Sequence, residues 1–404
     1  MAQACMQWCA TCLEGVARAL GRLMTCKVSA GTGMLGRLFG ADDATSSWPA
    51  RVQELCGDLS DSLQMSSSST EQVRQCLQAA ISAFDAPAST AIEKQDLLSG
   101  LLQSDLPAKM LEALPNLDFE ARKDVMRLFS VILQLGGALV FEYVRTQEQI
   151  LQLLLEGCGN PEVALHSHMM LRNCCKHAEL VKIMLEHGFA TREDTGLLKL
   201  ARHSMFDISS DAFSSLRDLL LTHKAEAAQY LELHFREFFT PYNELLQVQD
   251  YVAKRQALRL LGEILLDRKF MKVMLDYVGD EQFLQIHMNL LRETGSKAIQ
   301  ADAFHIFKIF AANPKKPARV HQILLKNRER LIKLLDSLGK EAGESFAQDR
   351  KAVVQALKAL EALPAVPGSS PAVSSTTSAP TCIPDKANVS GQEEENRTLS
   401  SQEH

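Results

Sequence analysis

From residue 72 to 362, apolar residues recur at helical spacing almost without a break. In RQALRLLGEILLD, Leu258, Leu261 and Leu265 fall on one face with Ala257 and Ile264 beside them, and Arg259 and Glu263 lie four apart, as a solvated pair would. In DAFHIFKIFAANP, a wide stripe from Phe304 through Ile306 and Phe307 to Phe310 predicts another helix, which Asn313-Pro314 ends. The polar stretch 57–71, with Ser66 to Ser69 in a row, reads as a loop between helices.

The helical segments also resemble one another. Aligned on the residue that opens each one, Asp124, Ser167, Ala212, Ala257 and Ala303 follow at steps of 43, 45, 45 and 46 residues. That period belongs to armadillo and HEAT repeats. Each unit of two or three helices cannot bury its own apolar face alone but can do so against its neighbours. The expected fold is all-α, an armadillo/HEAT-like helical repeat solenoid with disordered termini and a concave surface suited to gripping another protein.

Composition agrees. Apolar residues make up 46% of the 404, charged residues 23% and aromatics 6%, an ordinary globular balance that favours helix over sheet. A net charge of −6 gives no sign of nucleic-acid binding. No stretch reaches 18 uncharged apolar residues, so no membrane span is expected. Glu14 and Trp8 weaken a transit-peptide reading of the apolar N-terminus. Ten unevenly spread cysteines, with Cys174 and Cys175 adjacent, form no secreted disulfide framework, and a reducing, cytoplasmic setting fits them better. Residues 363–404 carry five prolines, many serines and threonines and the acidic run Glu393 to Glu395, with too little apolar surface to order themselves.

Candidate chemistry is sparse. Gly31-Thr32-Gly33-Met34-Leu35-Gly36 matches a phosphate-cradle pattern, but no strand-rich unit follows it. Cys5, Cys9 and Cys12 lack a fourth ligand. His166 and His168 with Cys174, Cys175 and His177 suggest zinc, but His168, Cys175 and His177 do not share one helix face well, so core packing or partner contact is favoured. No calcium-loop pattern is present. No paired carboxylates or nucleophile–base pair stands out. The expectation is therefore a non-enzyme with no catalytic residue, cofactor, metal or small-molecule substrate. Lys315, Lys316, Arg319, Lys326, Arg328 and Arg330 form a basic stretch, either a solvated helix face or a site for an acidic partner tail.

Five stretches carry a resemblance: LDFEARKDV (117–125), NPEVALHSHMMLRNCCKH (160–177), FDISSDAFSSLRDLLLTHK (206–224), YVAKRQALRLLGEILLDR (251–268) and MNLLRETGSKAIQADAFHIFKIFAANPKK (288–316). With them the chain resembles the Mo-twenty-five scaffold family, also called calcium-binding protein 39-like. The resemblance covers roughly 34–362, and MLGRLFG at Met34 looks like the family's own start. The domain organisation it implies is an N-terminal extension over 1–33, disordered or arising from an upstream start, a repeat domain over 34–362, and a disordered acidic tail over 363–404.

The resemblance implies a scaffold that binds and activates a serine/threonine protein kinase of sterile-twenty type, or a related pseudokinase that partners liver kinase B. The concave face would hold the kinase domain in its active arrangement, and a pocket near the C-terminal end would take a Trp-Glu-Phe-like motif. The family's concave-face arginine falls on Arg255 and the arginine ending LLLDR on Arg268. A phenylalanine just beyond falls on Met271, which keeps an apolar contact. The methionine of the motif pocket falls on Met288, and a pocket lysine is replaced by Gln285, which puts recognition of the motif's acidic part in question. A buried Trp and Phe contribute on the order of 8–12 kcal/mol gross, against an association cost of roughly 4–15 kcal/mol, so a second contact is needed for a stable complex. The alternative is an adaptor for cell-polarity, cytoskeletal or cytokinesis complexes that changes no kinase's rate.

Overall fold

The computed structural model describes residues 47–64, 70–87, 89–293, 295–338 and 343–361. The expectations placed on 1–33 and 363–404, including disorder, the glycine pattern at 31–36 and the cysteines at 5, 9 and 12, lie outside these residues. By contacts the chain divides into residues 1–361 and 362–404, and every described residue belongs to the first unit.

Among the described residues all regular structure is helical. The order is α1 (Trp48–Gln64), α2 (Thr70–Asp85), α3 (Ala91–Gln103), α4 (Leu106–Ala113), α5 (Phe119–Thr146), α6 (Glu148–Gly159), α7 (Ala164–Cys174), α8 (Ala178–Glu186) and α9 (Leu197–Leu200). There follow α10 (Phe206–Leu221), α11 (Lys224–Leu233), α12 (Phe235–Leu245), α13 (Tyr251–Leu266), α14 (Met271–Gly279), α15 (Glu281–Arg292), α16 (Lys297–Ala312), α17 (Ala318–Ser337) and α18 (Glu344–Lys358).

The repeat logic is visible in which helices touch. α2, α5, α7, α10, α13, α16 and α18 form a ladder in which each packs on the next. The residues that mark the sequence period, Asp124, Ser167, Ala212, Ala257 and Ala303, lie on five successive members of it, and all but Asp124 are buried. Small side chains there let neighbouring helices approach closely. Remaining helices bridge the ladder, with α8 on α11, α11 on α14 and α15 on α17.

Local sequence starts and stops these helices. Asp118 caps α5 by accepting from Ala121 N–H at 2.7 Å, Asp250 caps α13 through Ala253 N–H at 2.6 Å, and Ser296 caps α16 through Ile299 N–H at 3.2 Å, each satisfying an orphan donor of the first turn. Asn313-Pro314 ends α16 as expected. Leu258, Leu261, Leu265, Ala257 and Ile264 are all buried in α13.

Two expectations are corrected. The segment 57–64 is not loop but the second half of α1, where Leu59 and Ser62 are buried; burial of one apolar face outweighs the polar residues around it. Glu263 does not pair with Arg259 but accepts from Arg217 Nη2, across from α10, at 2.5 Å. Separately, α5 is long and apolar enough, by length and composition alone, to cross a membrane, a test that a helix packed in a core also passes. Its apolar residues Val125, Leu128, Phe129, Ile132 and Leu133 are buried in the ladder, where it lies between α2 and α7.

Candidate partner-binding surface

The ladder carries charge as well as apolar packing. Arg172 meets Asp218 at 2.6 Å, Arg217 meets Glu263 at 2.5 Å, Arg255 meets Asp302 at 3.2 Å and Lys308 meets Asp349 at 2.6 Å. Each pair joins one ladder helix to the next, and three of the four span 46 or 47 residues. The repeat period therefore returns as a row of ionic rungs.

Beside the rungs, several ladder helices open with an exposed apolar side chain. Phe119 begins α5, Leu165 stands second in α7, Phe206 begins α10, and Tyr251 and Val252 begin α13; all are exposed, Phe206 at 63%. Large apolar groups held in water at repeated positions mark contact surface rather than core. Phe206 and Val252 line one cavity of about 300 Å³, together with Arg202, His203, Ser209 and Gln256. A neighbouring cleft, also about 300 Å³, lies between α10 and α13 and is lined by Arg217, Gln256, Arg259, Leu260 and Glu263 among others. Gln256 borders both, and its buried Oε1 has no hydrogen-bond partner among the described residues.

Arg255 sits within this region. Its side chain is half-exposed, Nε donates to Asp302 Oδ2 at 3.2 Å, and Nη1 donates to the Tyr251 hydroxyl at 3.3 Å. The hydrogen bond to Asp302, above all, holds its pKa above the usual arginine value. Arg259, one turn further along α13, is exposed and has no ion pair among the described residues. Phe206 and Tyr251 are not singled out by the sequence, and Arg259 is read there only as half of a solvated pair. The available signal was position: Phe206 and Tyr251 each open a ladder helix, 45 residues apart. Exposure itself is not legible in a residue type that more often sits in the core.

The other candidates lie elsewhere. Arg268 is exposed in a short 3₁₀ turn, Arg268–Phe270, that follows α13, and Met271, 49% exposed, opens α14. Arg268 is thirteen residues beyond Arg255, about 20 Å along a helix axis, so these two do not form one contact point. Gln285 is exposed and Met288 half-buried against the core, one turn apart on α15. α14 packs on both α13 and α15, so Arg268, Met271, Gln285 and Met288 occupy neighbouring elements. Beneath them is a buried polar chain. The Tyr277 hydroxyl gives its one proton to Asn243 Oδ1 at 2.8 Å and so accepts from His287 Nε2–H at 3.0 Å. Burial pulls His287 down to about 3, leaving it neutral. His166 and His168 are buried in α7, and His168 Nδ1 bonds Ser215 Oγ at 2.8 Å across the α7–α10 rung. In the basic stretch, Arg319 approaches Glu281 at 3.5 Å, while Lys316 and Arg328 donate to the main-chain oxygens of Asn313 and Leu360.

Comparison with known proteins follows the same outline. The family described as Mo25-like matches residues 42–361. Calcium-binding protein 39-like of Mus musculus is 39% identical over 270 residues, covering 66% of this chain and 79% of that protein. The Mo25-like protein of Schizosaccharomyces pombe is 37% identical over 270 residues, covering 66% of this chain and 80% of that protein. Among solved structures, computationally designed armadillo repeat proteins for modular peptide recognition align with 62% of this chain and 98% of theirs at 17% identity and a TM-score of 0.39, too loose a match to carry an argument.

Proposed function

This chain belongs to the Mo25-like family, a membership that supports a scaffold role, and we propose that it binds and activates a serine/threonine kinase of sterile-twenty type, or a related pseudokinase complex, in the cytoplasm. The proposal keeps the organisation read from the sequence: an extension over 1–33, the repeat domain over 34–362 and the acidic tail over 363–404. The observation that carries it is the pairing of exposed aromatic and cationic side chains, Phe206, Tyr251, Arg255 and Arg259, on the adjacent ladder helices α10 and α13. Aromatics and arginines are the groups that anchor protein–protein interfaces.

Such a surface needs no chemistry of its own. It activates by binding the active kinase conformation better than the inactive one, and a ten-thousandfold preference, about 5.5 kcal/mol, would carry the population from nearly all inactive to nearly all active. The second contact is a Trp-Glu-Phe-like tail motif at Met288, with Gln285, Met271 and Arg268 nearby. Gln285 is uncharged where the motif's carboxylate calls for a cation, so this contact leans on apolar burial.

Two variants separate the contacts. Arg255→Ala is expected to lower kinase activation about tenfold while leaving capture of the tail peptide unchanged; Met288→Ala is expected to weaken peptide capture by roughly 1–2 kcal/mol. Kinase rate with and without the chain, and peptide titration, read the two effects. If both variants behave as the parent does, the surface is wrongly assigned; if a kinase binds but its rate does not change, the adaptor reading takes over.

A further inference from the structure

Two arginines one turn apart on α13 stand in opposite electrostatic states. The Arg255 guanidinium is pinned by its own chain on two sides, through Nε to Asp302 of α16 and through Nη1 to the Tyr251 hydroxyl. Its Nη2 has no partner among the described residues, and 38% of the side chain is exposed. Arg259 could have paired with Glu263 on the same helix, but Arg217 of α10 takes that carboxylate. One arginine is therefore fixed and neutralised, while the other keeps its full charge and its rotamer freedom.

The difference matters for recognition. A planar guanidinium held from two sides loses little freedom when it makes one more hydrogen bond. The Asp302 carboxylate, 20% exposed, also repels any second anion brought to Arg255, in a setting where water only partly screens it.

We propose that Asp302 is a positioning residue of the partner-binding surface, fixing Arg255 so that Nη2 meets a neutral acceptor oxygen of the bound protein, a main-chain or amide carbonyl, and leaving Arg259 to meet a carboxylate. The assignment rests on the kinase-binding reading above.

The test is a double-mutant cycle on the full chain, titrated with a purified sterile-twenty-type kinase domain at low and high salt. Asp302→Ala is expected to weaken binding about tenfold, which is 1.4 kcal/mol, and Arg255→Ala combined with Asp302→Ala to be no weaker than Arg255→Ala alone. Arg259→Ala flattens the salt dependence, whereas the double variant Arg255→Ala/Asp302→Ala, which removes a compensated pair and leaves the net charge as it was, keeps it as in the parent, a contrast that a merely structural role for Asp302 would not produce. Should Asp302→Ala fail to fold, Asp302→Asn, which keeps the shape and loses the charge, completes the cycle. An equal loss from the Asp302 substitution with and without Arg255 overturns the positioning role while leaving the surface intact. Unchanged binding by Arg255→Ala overturns the surface itself, and this assignment with it.

Discussion

Asp302, His168 and His287 share a property that no sequence pattern announces: each is defined by a partner from another helix. His168 is held at about 4 and His287 at about 3, both from 6.5, chiefly by burial. His166, His177 and His305 shift in the same direction. Above pH 6.5 these groups are neutral folded or unfolded and contribute no pH dependence. As pH falls below 6.5 the unfolded chain takes up protons that the folded chain refuses, so stability is lost on acidification, and the loss stops only once the folded pKa values are reached. His168 and His287 each contribute up to roughly 1.4 kcal/mol per pH unit. Urea titrations between pH 6.5 and 5, above the carboxylate range, are expected to show this slope, and a His287→Gln chain to show a shallower one. An identical slope in that variant would remove His287 from the account. The Arg259–Glu263 spacing shows the limit of residue-scale reading: four-residue spacing made the pair possible, but a shorter contact from α10 decided it.

At the scale of single helices, the stop at Asn313-Pro314 was legible. Asp118, Asp250 and Ser296 each stand just before a helical run and each makes the capping bond. Irregularity inside an element was not. α5 holds Gly137 at φ 46 and ψ −130, which breaks the helix between its ladder half and its last turns, and a side chain is strained in that conformation wherever it points. Gly57, by contrast, is in α1, and an added Cβ there meets nothing within 4 Å. Gly137→Ala is therefore expected to destabilise the protein by about 1–3 kcal/mol, and Gly57→Ala to leave it unchanged or up to about 1 kcal/mol more stable. Thermal melts of the two variants check this, and equal melting temperatures would contradict it. Over 57–64 the expected loop is helix for a related reason: serine and aspartate weaken a helix only until one of its faces is buried, and α1 has Val52, Leu55, Cys56 and Leu59 inside.

For the stacked repeats as a whole, each ladder helix depends on the two beside it. Leu261 is fully buried in α13, between α10 and α16. Leu261→Ala is expected to cost about 2–5 kcal/mol. In a stack governed by nearest-neighbour contacts the effect should spread unevenly: amide exchange should quicken most in α10, α13 and α16 and least in α2. Uniform acceleration across all helices would mean that the array unfolds as one block. What the sequence by itself determined is this periodic architecture. The apolar spacing, the 43–46-residue period and the Asn313-Pro314 stop are local or repeated signals, and the family likeness rested on contiguous stretches of chain. Arg255 stood out only through that likeness, since by type it is one surface arginine among many. Only the tertiary structure decided which charges pair, which aromatics remain in water and which polar groups are sealed in the core, because each depends on the distance between residues about 45 positions apart, and that distance is set by how one helix lies on the next.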